Sequence, residues 1–148
     1  MSFTRKINTA IVLAPHPDDG EFGCGATLNK LIKQGTKVHY IAFSPCTISV
    51  PNGFDRDVLY RELNGACKQI GISKENITTF DFPVRELSFH RQEILEALIK
   101  LRNSIQPDLV FLPSSSDIHQ DHETIHKEGV RAFKYTSILG YEMPWNNL

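Results

Sequence analysis

The sequence predicts an α/β fold, a Rossmann-like three-layer sandwich with a mostly parallel sheet between helices. Two observations point there: short apolar runs alternate with amphipathic stretches of helical period along the chain, and glycine or proline punctuates the ends of those stretches. A third is the length. At 148 residues one domain is expected over residues 1–148, burying roughly 70% of the surface its unfolded chain would expose.

The elements follow in order. Residues 10–14 (AIVLA) form a continuous apolar run ended by Pro15, the pattern of a strand covered on both faces. Residues 23–34 carry Leu28, Leu31 and Ile32 at helical spacing and stop at Gly35. A second strand is expected over 37–44 (KVHYIAFS), rich in β-branched and aromatic residues. Over 55–70, Val58, Leu59, Leu63, Ala66, Cys67 and Ile70 make one helical stripe before Gly71. A short third strand is expected over 77–82. A helix over 91–105, with Ile94, Leu95, Leu98, Leu101 and Ile105 on one face, must end near Gln106 because Pro107 follows. Residues 109–112 (LVFL) read as a fourth strand, 123–133 as a helix and 138–143 as a last strand. Alternation of this kind implies parallel strands with right-handed crossovers; the order 3-2-1-4-5 is taken as the expectation for a Rossmann-like sheet. No internal repeat, low-complexity tract or interdomain linker interrupts it, and the long connection over 45–54 is expected to belong to a site.

Composition narrows the function. Sixteen Lys and Arg against 17 Asp and Glu leave a formal charge of -1, which gives no reason to expect nucleic acid as a partner. The apolar run near the N-terminus is five residues long, short of the roughly 7 to 15 of a secretory leader and the roughly 20 of a membrane span. Three scattered cysteines, Cys24, Cys46 and Cys67, form neither a disulfide framework nor a C-x-x-C pair, so a reducing, cytoplasmic location is expected.

In an open parallel sheet, ligands bind at the carboxyl ends of the strands where the strand order reverses. With order 3-2-1-4-5 that point lies between the first and fourth strands, whose following loops are Pro15-His16-Pro17-Asp18-Asp19 and residues 114–122, ending in His119-Gln120-Asp121-His122. His16 and Asp19, three residues apart in a turn opening a helix, share a side, while Asp18 points elsewhere. With His122 they make two imidazoles and a carboxylate with an open position, the composition of a catalytic zinc site. Asp18 is then the candidate general base, His119 the candidate proton donor or oxyanion stabiliser, and Asp121 the candidate orienter of one imidazole. Taken separately, Pro-Asp-Asp-Gly is an ordinary turn and His-x-x-His the start of a solvated helix; their joint placement after two neighbouring strands carries the metal reading.

These residues also carry a resemblance. APHPDDGEFGCGATL and DIHQDH resemble the two motifs of the LmbE-like, or PIG-L, zinc-dependent de-N-acetylases. The stretch from Tyr60-Arg61-Glu62-Leu63 to Ile70-Gly71-Ile72 resembles that family's R-x-x-E-A helix and its Leu-Gly-Val end. The resemblance implies one zinc per chain on His16, Asp19 and His122, with Asp18 as general base. It also implies His119 at the tetrahedral intermediate, Arg61 near substrate, and hydrolysis of the acetamide of an N-acetylglucosamine-type conjugate. Gly20 stands where the family usually has Glu, and Ala26 replaces a Gly. Members usually continue for several tens of residues past the equivalent of Leu148, so that C-terminal portion is expected to be missing here or dispensed with. Two rivals are a metal-dependent phosphoesterase, disfavoured by the two imidazoles, and a non-catalytic metal- or sugar-binding domain.

The remaining candidates are structural. Gly23-Cys24-Gly25-Ala26 is expected to serve close helix packing, His39 and His90 core or capping roles, and His126 a supporting or surface position. Tyr141, Glu142 and Trp145 are expected at the rim of the site or on the interface of a homo-oligomer.

Overall fold

The computed structural model describes residues 6–147; the first cation of the N-terminal stretch, Arg5, and the last residue, Leu148, lie outside the described residues. The elements are β1 (Thr9–Ala14), α1 (Asp19–Lys33), β2 (Lys37–Ala42), α2 (Val58–Ile70), β3 (Ile77–Thr79), α3 (Arg91–Ile105), β4 (Leu109–Pro113), α4 (Gln120–Ala132) and β5 (Ser137–Tyr141). They build one sheet in the order β3-β2-β1-β4-β5, and every neighbouring pair is parallel.

The alternation of side chains along a strand sorts the core into two layers. From β1, Ala10, Val12 and Ala14 face a cluster with Cys24 and Leu28 of α1 and Leu63 and Cys67 of α2. Ile11 and Leu13 face the opposite cluster, with Ile94, Leu95 and Leu98 of α3 and Ile125, Ala132 and Phe133 of α4. Residues 10–14 have no exposed surface, which is why the strand reads as an unbroken apolar run.

Helix ends follow the expected punctuation: Gly71 after α2 takes φ +101°, and Gln106 after α3 takes φ +51° ahead of Pro107. Helix starts differ from the sequence reading. α1 begins at Asp19 rather than residue 23, and α4 at Gln120 rather than 123, because both first turns are polar and face a site instead of the core. α2 begins at Val58 rather than 55. β3 is only three residues long, although the Phe80 and Phe82 amides beyond it still donate to the Ala42 and Phe43 carbonyls. β5 is an edge strand with only Tyr141 buried, and it ends at that residue, two short of the expected 143. All three cysteines are free and buried, and among the described residues no helix is long and apolar enough to cross a membrane.

Candidate metal centre and active site

β1 and β4 are neighbours, and the chain leaves them in opposite directions across the sheet, so the loops at their carboxyl ends part and leave a crevice. The first loop ends in a turn closed by the Asp19 amide on the His16 carbonyl, and Asp19 Oδ2 accepts the His16 backbone N–H at 2.8 Å. Tyr40 pins this turn from β2: its hydroxyl donates to the Pro17 carbonyl and accepts the Gly20 N–H. A Cβ on residue 20 would lie 2.8 to 2.9 Å from the Tyr40 ring and hydroxyl, which accounts for glycine here where the resembled motif has Glu.

From the second loop, His119 caps α4 and His122 sits in its first turn, with Asp121 and His122 both buried. The two loops converge. His16 Nδ1 lies 3.2 Å from Asp19 Oδ2, His122 Nε2 lies 3.2 Å from the same oxygen, and the two nitrogens are 3.3 Å apart. An ion about 2.0 to 2.1 Å from three tetrahedral ligands separates them by about 3.3 to 3.4 Å, so this near-equilateral triangle fits a zinc-sized cation with little movement.

The outer ring nitrogens are committed in a way that turns the inner ones toward each other and toward Asp19 Oδ2. His16 Nε2–H donates to Asp121 Oδ2 at 2.9 Å, and His122 Nδ1–H donates to Asp117 Oδ2 at 2.6 Å. Asp121 is itself fixed by the amides of Arg85 (2.6 Å) and Leu87 (3.3 Å), and Asp117 by the amide of His119 (2.9 Å). Each candidate ligand imidazole therefore rests on a buried carboxylate. The sequence reading singled out Asp121 and missed Asp117; the one available signal was a carboxylate two residues before His-x-x-His.

His119 is a third imidazole with a ring nitrogen within 4.8 Å of those of His16 and His122. Its Nδ1 accepts the Asp121 N–H at 3.1 Å, so in the neutral ring the proton sits on Nε2. That nitrogen is a donor, which favours the His16, Asp19 and His122 triangle over a three-imidazole set. The exposed Asp18 carboxylate makes no hydrogen bond or ion pair to another described residue, yet lies close enough to feel the charges of Asp19, His16 and His122.

Charge follows this layout. Burial pulls His16 down, but the carboxylates of Asp121 and Asp19 outweigh it and bring the metal-free imidazole to about 9; a cation binding there must displace that proton. His122 is raised in the same way, against burial, by Asp19 and Asp117. Burial raises Asp19, yet the two imidazoles hold it well below the usual carboxylate range. Asp18 is raised by burial and by Asp19, and His119 is lowered by burial and by His16 and His122.

The other candidates fall elsewhere. Arg61 does not join the cluster: it pairs with Asp55 and Asp57, and lines an open basin with Asn64, Lys68 and Lys74 on the outer side of α2. His126 donates from Nδ1 to the Pro113 carbonyl, and His90 pairs with Glu93. Gly23 serves packing, since a Cβ there would lie 2.3 Å from the Tyr141 ring. Tyr141 is not on the rim: it is buried and donates to the Leu13 carbonyl. Trp145 is exposed and meets exposed Phe22 edge to face, 6.2 Å between centroids.

Fold and cluster together define a doubly wound α/β protein with a carboxylate-supported His-Asp-His site at its switch point. The chain belongs to the PIG-L, or GlcNAc-PI de-N-acetylase, family, whose sequence pattern matches residues 11–133. It is 28% identical over 150 residues to the uncharacterized deacetylase YaiS of Escherichia coli K12, covering 97% of this chain and 78% of that one. It is 24% identical to the diacetylchitobiose deacetylase of Thermococcus kodakarensis over 145 residues, 93% of this chain and 53% of that protein. Among solved structures, the N,N'-diacetylchitobiose deacetylase of Pyrococcus horikoshii superposes with a TM-score of 0.76 at 23% identity, over 87% of this chain and 50% of the other. The chain thus spans about half the length of the two diacetylchitobiose deacetylases.

Proposed function

We propose that the protein is a zinc-dependent amidase that removes the acetyl group from an N-acetylated amino sugar conjugate, with one zinc per chain on His16, Asp19 and His122. The observation that carries this reading is the triangle of ligand atoms 3.2 to 3.3 Å apart, with Asp18 close enough to feel their charges and not itself hydrogen-bonded to them. The substrate class is taken from the family and from the activity named for its Thermococcus relative. Two imidazoles favour zinc over the hard, oxygen-seeking ions of phosphoesterases. Free buried cysteines suit a reducing compartment.

When bound, the metal would supply Lewis-acid polarisation and lower the pKa of water from about 15.7 toward 7. The chain's own groups do the rest. Asp18, raised by burial, accepts a proton from the attacking water. His119, lowered by burial, presents its Nε2–H to the oxygen that gains charge as the carbonyl becomes tetrahedral. Asp18 then returns its proton to the nitrogen as the C–N bond breaks, giving the free amine and acetate. Asp117 and Asp121 hold the two imidazoles in the ligand tautomer throughout.

The test is acetate release by the zinc-loaded chain from N-acetylglucosamine and N,N'-diacetylchitobiose. Asp18→Asn should lose about 10² to 10⁴ of the rate while binding zinc as tightly as the parent. Zinc binding without acetate release from any N-acetyl sugar would reduce the protein to a binding domain.

A further inference from the structure

Among the described residues, three other than glycine have a left-handed backbone: Cys46 (φ 53°), Arg85 (φ 68°) and Gln106 (φ 51°). Gln106 closes α3, where that conformation is an ordinary cap. Cys46 and Arg85 lie in the loops that follow β2 and β3, beside the metal-candidate cluster, and strain of this kind collects at functional sites.

The backbone at 85 has a visible task. The turn aims the amides of Arg85 and Leu87 at the two oxygens of Asp121, the carboxylate that holds His16. Glycine would do that with less strain, so the arginine side chain calls for its own explanation.

The fold makes little use of that side chain. It is exposed, its one hydrogen bond is a 3.4 Å contact from Nη2 to Ser49 Oγ, and among the described residues no carboxylate oxygen lies within 4 Å of it. Other arginines are occupied: Arg61 on Asp55 and Asp57, Arg91 and Arg131 on Glu128, and Arg102 on the Ala132 carbonyl. Arg56 resembles Arg85, donating only to the Thr47 carbonyl. Among the described residues, these two guanidinium groups without a counter-charge thus touch opposite ends of one 3-10 turn, Thr47–Ser49. The surroundings are acidic, with Asp18, Asp19, Asp117 and Asp121 in the cluster and Asp81 and Glu86 lining the neighbouring crevice. An anionic substrate would be repelled there without a compensating cation.

We infer that Arg85 is a specificity-determining residue, and that its guanidinium, with Arg56 at the other end of the same turn, pairs with an oxyanion on the substrate, a carboxylate or phosphate borne by the amino sugar or its aglycone. The inference rests on the amidase reading of the cluster. Arg85→Gly is the variant of choice, because it keeps the left-handed backbone and deletes only the side chain.

The experiment uses the zinc-loaded full chain and three substrates: neutral N-acetylglucosamine, N-acetylglucosamine 6-phosphate and the carboxylate-bearing N-acetylmuramic acid. Alongside kcat/KM, calorimetry gives the affinities of the products glucosamine and glucosamine 6-phosphate, a readout independent of turnover. The parent is expected to prefer at least one anionic substrate, and its product, by about tenfold or more. Arg85→Gly is expected to collapse that ratio through KM, Arg85→Lys to keep part of it, and the glycine variant to melt no lower than the parent. Which anion is preferred distinguishes a phosphate from a carboxylate source. No preference in the parent, or a ratio in Arg85→Gly within twofold of the parent's, overturns the inference. So does an equal loss on all three substrates accompanied by weaker zinc binding, since Arg85 would then act only through Asp121. A product-binding preference that Arg85→Gly abolishes, with no acetate release from any substrate, leaves this inference standing and removes the amidase reading; turnover with an unchanged ratio does the reverse.

Discussion

Asp117→Asn isolates the support beneath one candidate ligand. In the parent, Asp117 Oδ2 takes the Nδ1 proton of His122 at 2.6 Å, with both side chains buried, while Oδ1 takes the His119 amide at 2.9 Å. The asparagine oxygen can keep the amide bond, which leaves its NH2 facing Nδ1. An NH2 there favours the tautomer with the proton on Nε2, where the metal must bind. Restoring the ligand tautomer costs the loss of a charge-assisted bond, so zinc affinity should fall about 10- to 100-fold, or about 1.4 to 2.7 kcal/mol. Competition against a chromophoric chelator reads this directly, with Asp18→Asn as a control expected to bind like the parent. Asp121→Asn should lose more, because that carboxylate also gathers the Arg85 and Leu87 amides and so steadies the loop after β3. A zinc dissociation constant for Asp117→Asn within twofold of the parent would refute the argument that this carboxylate sets the tautomer.

Three further outcomes follow from packing and charge. Gly23→Ala forces a Cβ to within 2.3 Å of a Tyr141 ring that is buried and anchored on the Leu13 carbonyl. Overpacking of about 1 to 3 kcal/mol should outweigh the roughly 1 kcal/mol gained in helix propensity and lower the urea midpoint. Leu98→Ala in α3 opens a cavity at a residue with no exposed surface and should cost about 2 to 5 kcal/mol in urea unfolding. His39 is held below its ordinary value by burial and by Lys37, so the unfolded chain takes up a proton first as pH falls below about 6.5, and folding stability declines with it. His39→Gln should therefore flatten the loss of stability between about pH 7 and 5 relative to the parent, read from denaturation midpoints at each pH.

How much of this was legible beforehand differs from element to element. AIVLA was readable as a central strand because both of its faces are covered and no polar residue interrupts it. The short third strand expected over 77–82 is regular only to Thr79, although the Phe80 and Phe82 amides still donate to the Ala42 and Phe43 carbonyls; the two rings pack in sequence, Phe80 against Phe43 and Phe82 against Phe80. The first turns of α1 and α4 were taken for loops because their polar residues face the crevice, and apolar periodicity sees only the face turned to the core. Position after the last strand suggests a rim or an oligomer interface for Tyr141, whereas its buried ring fills the space left by Gly23.

Local pattern by itself determined the strand and helix alternation and the two polar loops with their histidines and aspartates, because period, punctuation and turn chemistry act over a few residues. Only the folded chain decided which carboxylate serves which imidazole: Asp121 reaches His16 across 105 positions, while His122 turns back to Asp117. It also decided that Tyr40 leaves no room for a side chain at residue 20 and that Arg85 is held left-handed against Asp121. Such pairings depend on angstrom-scale distances between segments far apart in the chain, and those distances exist only once the sheet has brought its carboxyl ends together.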